Sequence, residues 1–181
     1  LDGFWKSLSA AQLAGVEAVA MDMWEPYVQS TLAHVPGAAT KIVHDPFHLV
    51  KAMNEAVNDV RKREHARLQA QGDDILKGTR QLWLYGLENL PAKHAQCFEE
   101  VWTTNLETSR AWVFKETFRS FWLCDTVQQA ERYFAQWYGR AIRSRLGPVK
   151  KVARTCKRHL DHILTFFVHH LTNGPAEGLN N

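Results

Sequence analysis

Apolar and polar positions change rhythm twice near the start of this chain. From Val16 to Met21 a short apolar run ends on an acid, Asp22. Glu25 to His34 follows, with Tyr27, Val28, Leu32 and Ala33 near helical spacing, until Pro36-Gly37 stops it. A second apolar run, Thr40 to Val43, ends on His44-Asp45. Strand, helix and strand in that order predict a right-handed crossover between parallel strands. Both acids then lie just past the carboxyl ends of their strands, on the edge where open α/β sheets bind ligands. Two carboxylates delivered to one edge suit a divalent metal ion.

Around that unit the period is helical. Leu1 to Ala14 predicts a helix with Phe4, Trp5, Leu8 and Leu13 on its apolar face. After Asp45-Pro46 a long helix is expected to about Gln71, burying Phe47, Val50, Met53, Val57 and Val60. Its outer face becomes strongly charged at Arg61-Lys62-Arg63-Glu64, and Gly72 ends it. The middle of the chain is aromatic and shows no strand pattern. Gly78 to Leu90 reads as irregular or briefly helical. Pro91 to Leu106 is a helix with Cys97, Phe98, Val101 and Trp102 in its stripe. Thr108 to Trp122 packs Trp112, Val113, Phe114, Phe118 and Phe121, and Thr126 to Arg143 packs Val127, Ala130, Phe134, Trp137 and Ala141. Gly147-Pro148 breaks the pattern before a last long helix, Val149 to about His170, which buries Val152, Cys156, Ile163 and Phe167. Thr172-Asn173-Gly174 makes a turn, and Pro175 suits the first position of a new helix, with Glu177 in its first turn. The fold expected is an α/β edge over residues 1–51 and a large all-helical insertion over 52–171, with a further helix beginning in 172–181. By content it is mostly α.

Composition narrows the field a little. A chain of 181 residues, 45% hydrophobic and 23% charged, suits one domain with a sizeable core and argues against disorder. A net charge of +3 permits nucleic acid as a partner without demanding it. The basic groups Arg61-Lys62-Arg63, Arg140/Arg143/Arg145 and Lys150-Lys151/Arg154/Lys157-Arg158 are the phosphate contacts if the chain binds DNA, although charge runs on helices are usually solvated surface. Cys97, Cys124 and Cys156 lack metal-ligand spacing and fit buried free thiols in a reducing cytosol. The tryptophans fall mostly in helical stripes, as core. His159 and His162, three apart, and His169-His170 raise zinc, but no cysteine or third ligand stands near, so a solvated polar helix face is expected. Leu1 to Ala20 has no signal-peptide pattern, and Ile163 to Val168 is too short to span a bilayer. A start at Leu1 and an end just after a helix-start signal predict a fragment of a longer protein.

The segments VAMDMWEPY, HVPGA and IVHDPFHLVKAMNEAVNDVRKRE, with TNGPAEGLNN near the end, resemble the catalytic domain of insertion-sequence transposases of the ISL-three family. The resemblance runs from about Leu1 to Asn181. It implies a ribonuclease-H-like fold, partial here, in which a helical insertion separates the second acid of an Asp-Asp-Glu metal site from the glutamate. It further implies cleavage and transfer of DNA strands with Mg2+ or Mn2+, for which three converging carboxylates suffice. Glu177 matches the glutamate of NGPAEGLNN, and Asp22 is the second acid; these two are the metal ligands expected. Asp45 is the rival. Within D-P-F-H, Asp45 and His48 resemble an acid-x-x-His signature of related transposase groups that lies close to the metal. On the residues alone, Asp45 caps the following helix and His48 faces a helix neighbour.

The partners implied are mobile-element ends and target DNA, at the nucleoid in a bacterial cytoplasm, with no membrane; a homo-oligomer of the full-length protein is left open. The first acid is expected before Leu1, and Asp2 sits in a helical context, so this polypeptide alone is expected not to catalyse strand transfer. Two other readings stand beside this one. One is a non-catalytic helical DNA-binding or interaction module, a decayed or repurposed transposase. The other is a metal-dependent phosphatase or nuclease unrelated to transposition.

Overall fold

A computed structural model describes residues 1–104 and 106–172 of the chain. The turn at Asn173-Gly174, the helix start at Pro175 and Glu177 lie outside the described residues. The described residues are mostly helical, with one two-stranded parallel sheet. They fall into two compact units. The first comprises Leu1–Leu49, Cys124–Tyr133 and the chain from Cys156; the second comprises Val50–Leu123 and Phe134–Thr155.

The first unit opens with α1 (Asp2–Lys6) and α2 (Ala10–Ala14), not with the single helix expected over Leu1–Ala14. Ser9 explains the break. Its hydroxyl accepts from Gln12 N while the Gln12 side chain accepts from Ser9 N, a capping box that starts a new helix where the apolar pattern runs on. Trp5 is buried and Phe4 exposed. Then come β1 (Val19–Met21), α3 (Glu25–His34) and β2 (Ile42–His44), in the order expected. Pro26 sits in the first turn of α3, where its missing N–H is no loss. Beyond α3, Gly37 reverses the chain at φ +69°, a conformation that side chains resist. The strands pair in parallel, Val19 with Ile42, Ala20 with Val43 and Met21 with His44. Trp5, Met21, Val28, Val35, Ala38 and Ile42 form the core here, with Leu8, Leu13, Val16 and Val19 packed against it. Each large apolar side chain so buried contributes roughly 1.5–3 kcal/mol of transfer free energy.

The long helix α4 (Pro46–Gln69) buries Leu49, Met53, Ala56, Val57 and Val60, at the spacing of one helix face. Phe47, expected inside, is 57% exposed, and Val50 is only half-buried. The same phase carries Glu64 inward. Its carboxylate, expected on the charged outer face, is buried. After α4, Gly72 takes φ +83° and closes a Schellman turn, with Gly72 N donating to Gln69 O and Asp73 N to Leu68 O. Two 3-10 turns, Thr79–Leu84 and Leu87–Asn89, fill the stretch expected to be irregular.

The helices α5 (Ala92–Thr103), α6 (Glu107–Phe121), α7 (Val127–Arg143) and α8 (Gly147–Arg158) follow. Glu64 caps α6: its oxygens accept from Glu107 N at 2.8 Å and from Thr108 N and Oγ1, each at 2.7 Å. Lys115 of α6, also buried, donates from Nζ to the carbonyls of Trp83, Leu84 and Tyr85 at 2.9, 3.3 and 2.7 Å. Two buried charges thus fix the irregular segments of the second unit. Phe98 packs edge-on against Trp112, and Phe118 lies 4.7 Å from Trp137 between ring centres. Val113 and Trp102, expected inside, are exposed, as is Cys97. Gly147-Pro148 begins α8 rather than merely ending what precedes it.

The expected continuous helix from Val149 to His170 is three pieces: α8, α9 (Leu160–Leu164) and α10 (Phe166–His169). The last two return to the first unit and pack on β2. Thr165 stands at their junction, its hydroxyl within hydrogen-bond reach of both His162 O and Ile42 O. His169 Nε2 lies 3.1 Å from Thr40 O.

Candidate functional site at the strand ends

Strand register places the candidate acids. Met21 pairs with His44, so Asp22 and Asp45 each follow the last paired residue of a strand, and Asp45 N donates to Met21 O at 3.3 Å. Their surroundings differ. Asp22 is exposed, and its Oδ1 accepts from Met23 N at 2.6 Å. Asp45 is 3% exposed, and its Oδ1 accepts from Phe47 N at 2.8 Å. That contact is an N-terminal cap on α4, with Pro46 in the first helical position. His48, half-buried in the first turn of α4, has its ring 5.7 Å from that of Phe47. Glu177 lies outside the described residues. Asp2 accepts a hydrogen bond from Ser30, which holds its carboxyl below the usual range.

Directly beneath these ends lies a group of histidines that the sequence pattern did not assemble. His44 is fully buried, with its ring 5.2 Å from that of His159 and 5.3 Å from that of His162, both edge-to-face. Its Nδ1 is 3.4 Å from Met21 O, and among the described residues its Nε2 has no hydrogen-bond partner. Burial lowers its pKa from 6.5 to about 4, and the neighbouring histidines push the same way. Burial likewise lowers the pKa of His159 and His162. His159 and His162 are half-buried rather than the solvated polar face expected of them. The available signal was the i, i+3 spacing of His159 and His162 together with a histidine at the end of β2.

The basic residues sort by helix. On α8, Val149, Val152, Ala153 and Cys156 are buried while Lys151, Arg154, Lys157 and Arg158 are exposed and Lys150 is half-buried, a clean division into apolar and basic faces. On α4 the charges are partly engaged. Arg61 donates to Asn58 at 3.1 Å and Lys62 lies 3.8 Å from Asp59, while Arg63 is exposed.

Comparison with known proteins decides the family. The family model for DDE transposases of the ISL3 group, described as "Transposase", matches residues 1–181. The chain belongs to the ISL3 transposase family. It is also 28% identical, over 181 residues, to the transposase for insertion sequence element IS1001 of Bordetella parapertussis. That alignment covers 98% of this chain and 44% of the relative, so the chain spans less than half the length of the curated transposase it matches. No solved structure matches it.

DDE transposases as a family use a divalent metal. Asp22 offers a hard oxygen donor in open solvent at a strand end, as Mg2+ requires. Among the described residues, no group of three or more His, Cys, Asp or Glu is arranged to hold a metal ion, the histidines beneath β2 included. Asp22 is thus an exposed carboxylate with no ligand set arranged around it among the described residues. Also among the described residues, no helix is long and apolar enough to cross a membrane.

Proposed function

We propose that this chain is part of the catalytic domain of a DNA transposase that cuts and joins strands at the ends of an insertion sequence. The observation that carries the reading is the pairing of Met21 with His44, which sets Asp22 and Asp45 side by side beyond the carboxyl ends of parallel strands. The strand, helix and strand are read as the edge of a ribonuclease-H-like fold, with residues 52–171 as its helical insertion and 172–181 leading into the glutamate helix.

Asp22 and Glu177 are the residues proposed to hold the metal. Mg2+ or Mn2+, when bound, lowers the pKa of the attacking oxygen and neutralises charge on the leaving one. Asp22 suits its part because its carboxylate is exposed, with Met23 N the one donor that orients it among the described residues. Asp45 is less suited, since its carboxylate is buried and engaged by the start of α4. Its proposed role is to hold that helix, and with it His48, at the strand ends, where His48 orients the site or meets the scissile phosphate. The basic face of α8, with Lys150, Lys151, Arg154, Lys157 and Arg158, is the proposed track for the DNA backbone, and Arg61-Lys62-Arg63 a lesser one. Mobile-element ends and target DNA are the partners, in a bacterial cytoplasm at the nucleoid, with a homo-oligomer of the full-length protein as the working assembly.

The test uses the full-length transposase and a donor DNA carrying its element ends. D22N and E177Q should each lower metal-dependent strand cleavage at least about a hundredfold while leaving DNA retention intact. K151A/R154A should weaken retention and flatten its salt dependence by about two charges' worth of slope. Cleavage that survives D22N, with D45N inactive, would move the second acid to Asp45. Salt-sensitive binding with no cleavage under any metal would replace the enzyme with a binding module.

A further inference from the structure

Beside Asp22 the first unit carries a pocket of about 580 Å³. Met23, Val28 and Leu32 give its lining an apolar part, and Arg158, His159 and His162 a basic and aromatic part. Met23 joins pocket and acid directly, since its own N–H holds the Asp22 carboxylate. We infer that this pocket receives one unpaired nucleotide, with its phosphate on Arg158 and its base between the Met23–Leu32 wall and the two imidazoles.

The size is within the range of small-ligand sites, about 300–1,000 Å³, and suits a single nucleotide. A base held in a duplex cannot enter such a space without leaving its partner, so the occupant is an unpaired one. The wall chemistry fits a base. Aliphatic side chains and imidazole planes take its faces, while a neutral imidazole offers one donor and one acceptor to its edge. Burial lowers the pKa of both imidazoles, which favours the neutral ring, and among the described residues the buried His44 Nε2 has no hydrogen-bond partner. Glu25 also lines the pocket, tied to Gln29 Nε2 at 2.6 Å. Its negative charge also bears on His159 and His162, so Arg158 is the cation in the lining that offsets it and meets the phosphate. The inference rests on the reading of this chain as a DNA strand-processing protein, since that reading supplies an unpaired nucleotide next to Asp22.

The test is an imidazole NMR titration of this chain in EDTA, so that no metal contributes. Deoxynucleoside monophosphates should shift the His159 and His162 resonances, and a single-stranded oligonucleotide should do so at a concentration at least about tenfold lower. A duplex of the same length should leave them in place. R158A should weaken the single-strand effect about three- to tenfold, with R158K retaining part of it. L32E, at a residue 39% exposed and so tolerant of charge, should abolish it. Equal shifts with duplex, shifts reproduced by inorganic phosphate alone, or no shift with any of these probes would overturn the pocket. Titration as expected, alongside a full-length protein that never cleaves, would remove the catalytic reading and leave the pocket standing. Cleavage without titration would do the reverse.

Discussion

Asp22 and Glu64 are both acids at the edge of an apolar pattern, and the structure treats them in opposite ways. Asp22 follows β1, exposed to solvent, and among the described residues its carboxylate accepts one backbone hydrogen bond, from Met23 N. Glu64 is buried in the second unit and accepts three hydrogen bonds from Glu107 and Thr108, with Arg67 3.2 Å away. A carboxylate saturated by its own protein has no lone pair left for a metal or substrate. One that faces water with a single donor has. Hydrogen-bond saturation, not acidity or position in a pattern, separates the acid that builds the fold from the acid left open to solvent.

Substitutions sharpen that contrast, and E64A should have the largest effect. It leaves Glu107 N and Thr108 N unpaired at the start of α6 and should cost about 3 kcal/mol, read as a fall in the urea midpoint of unfolding. A loss below about 0.5 kcal/mol would mean that water replaces the carboxylate and that the contrast is only geometric.

Acid comes next. His44 takes up its proton near pH 6.5 when unfolded but near 4 in the fold, so the folded state binds fewer protons between those values. Stability is therefore complete above about pH 6.5 and is lost as pH falls toward 4, by about 2 kcal/mol at pH 5. His159 and His162 act in the same direction. Denaturant titrations at pH 7.5 and pH 5 measure the loss, and H44Q should remove the larger part of it. An unchanged slope in H44Q would place the acid sensitivity elsewhere.

The two strand-end acids should then separate from each other. D45A removes the cap on α4 and should cost about 1 kcal/mol. D22N should change the unfolding midpoint by less than about 0.5 kcal/mol while abolishing cleavage by the full-length protein. Equal stability losses for the two would undo the distinction drawn between them.

Much of the first unit could be read from the chain. The alternation of strand, helix and strand, with its stops at Pro36-Gly37 and Asp45-Pro46, reached the structure, with α3 at the bounds expected but β1 confined to Val19–Met21 and β2 moved to Ile42–His44. Apolar stripes in α7 and the spacing of Val152, Cys156, Ile163 and Phe167 did so as well. What escaped is what hydrophobic periodicity does not encode. Ser9 restarts a helix by a side-chain hydrogen bond, and Thr165 stands where another is broken. Glu64 and Lys115 are buried because they satisfy distant backbone groups, 43 or 44 residues away for Glu64 and 30–32 for Lys115. The meeting of His44 with His159 and His162 is equally non-local. At the site, Asp22 and Asp45 fall where the register puts them and His48 in the first turn of α4, while Glu177 lies outside the described residues.

The three cysteines give this molecule a graded set of chemical handles. Cys97 is exposed on α5, Cys124 is half-buried, and Cys156 is fully enclosed with its thiol pushed up to about 12. Only a thiolate attacks an electrophile readily, so at neutral pH a maleimide should find Cys97 first and Cys156 last. A dye placed at Cys97 would then report on α5 alone. The slow appearance of label at Cys156 would clock how often the buried face of α8 comes open, a measure of local breathing that needs no denaturant.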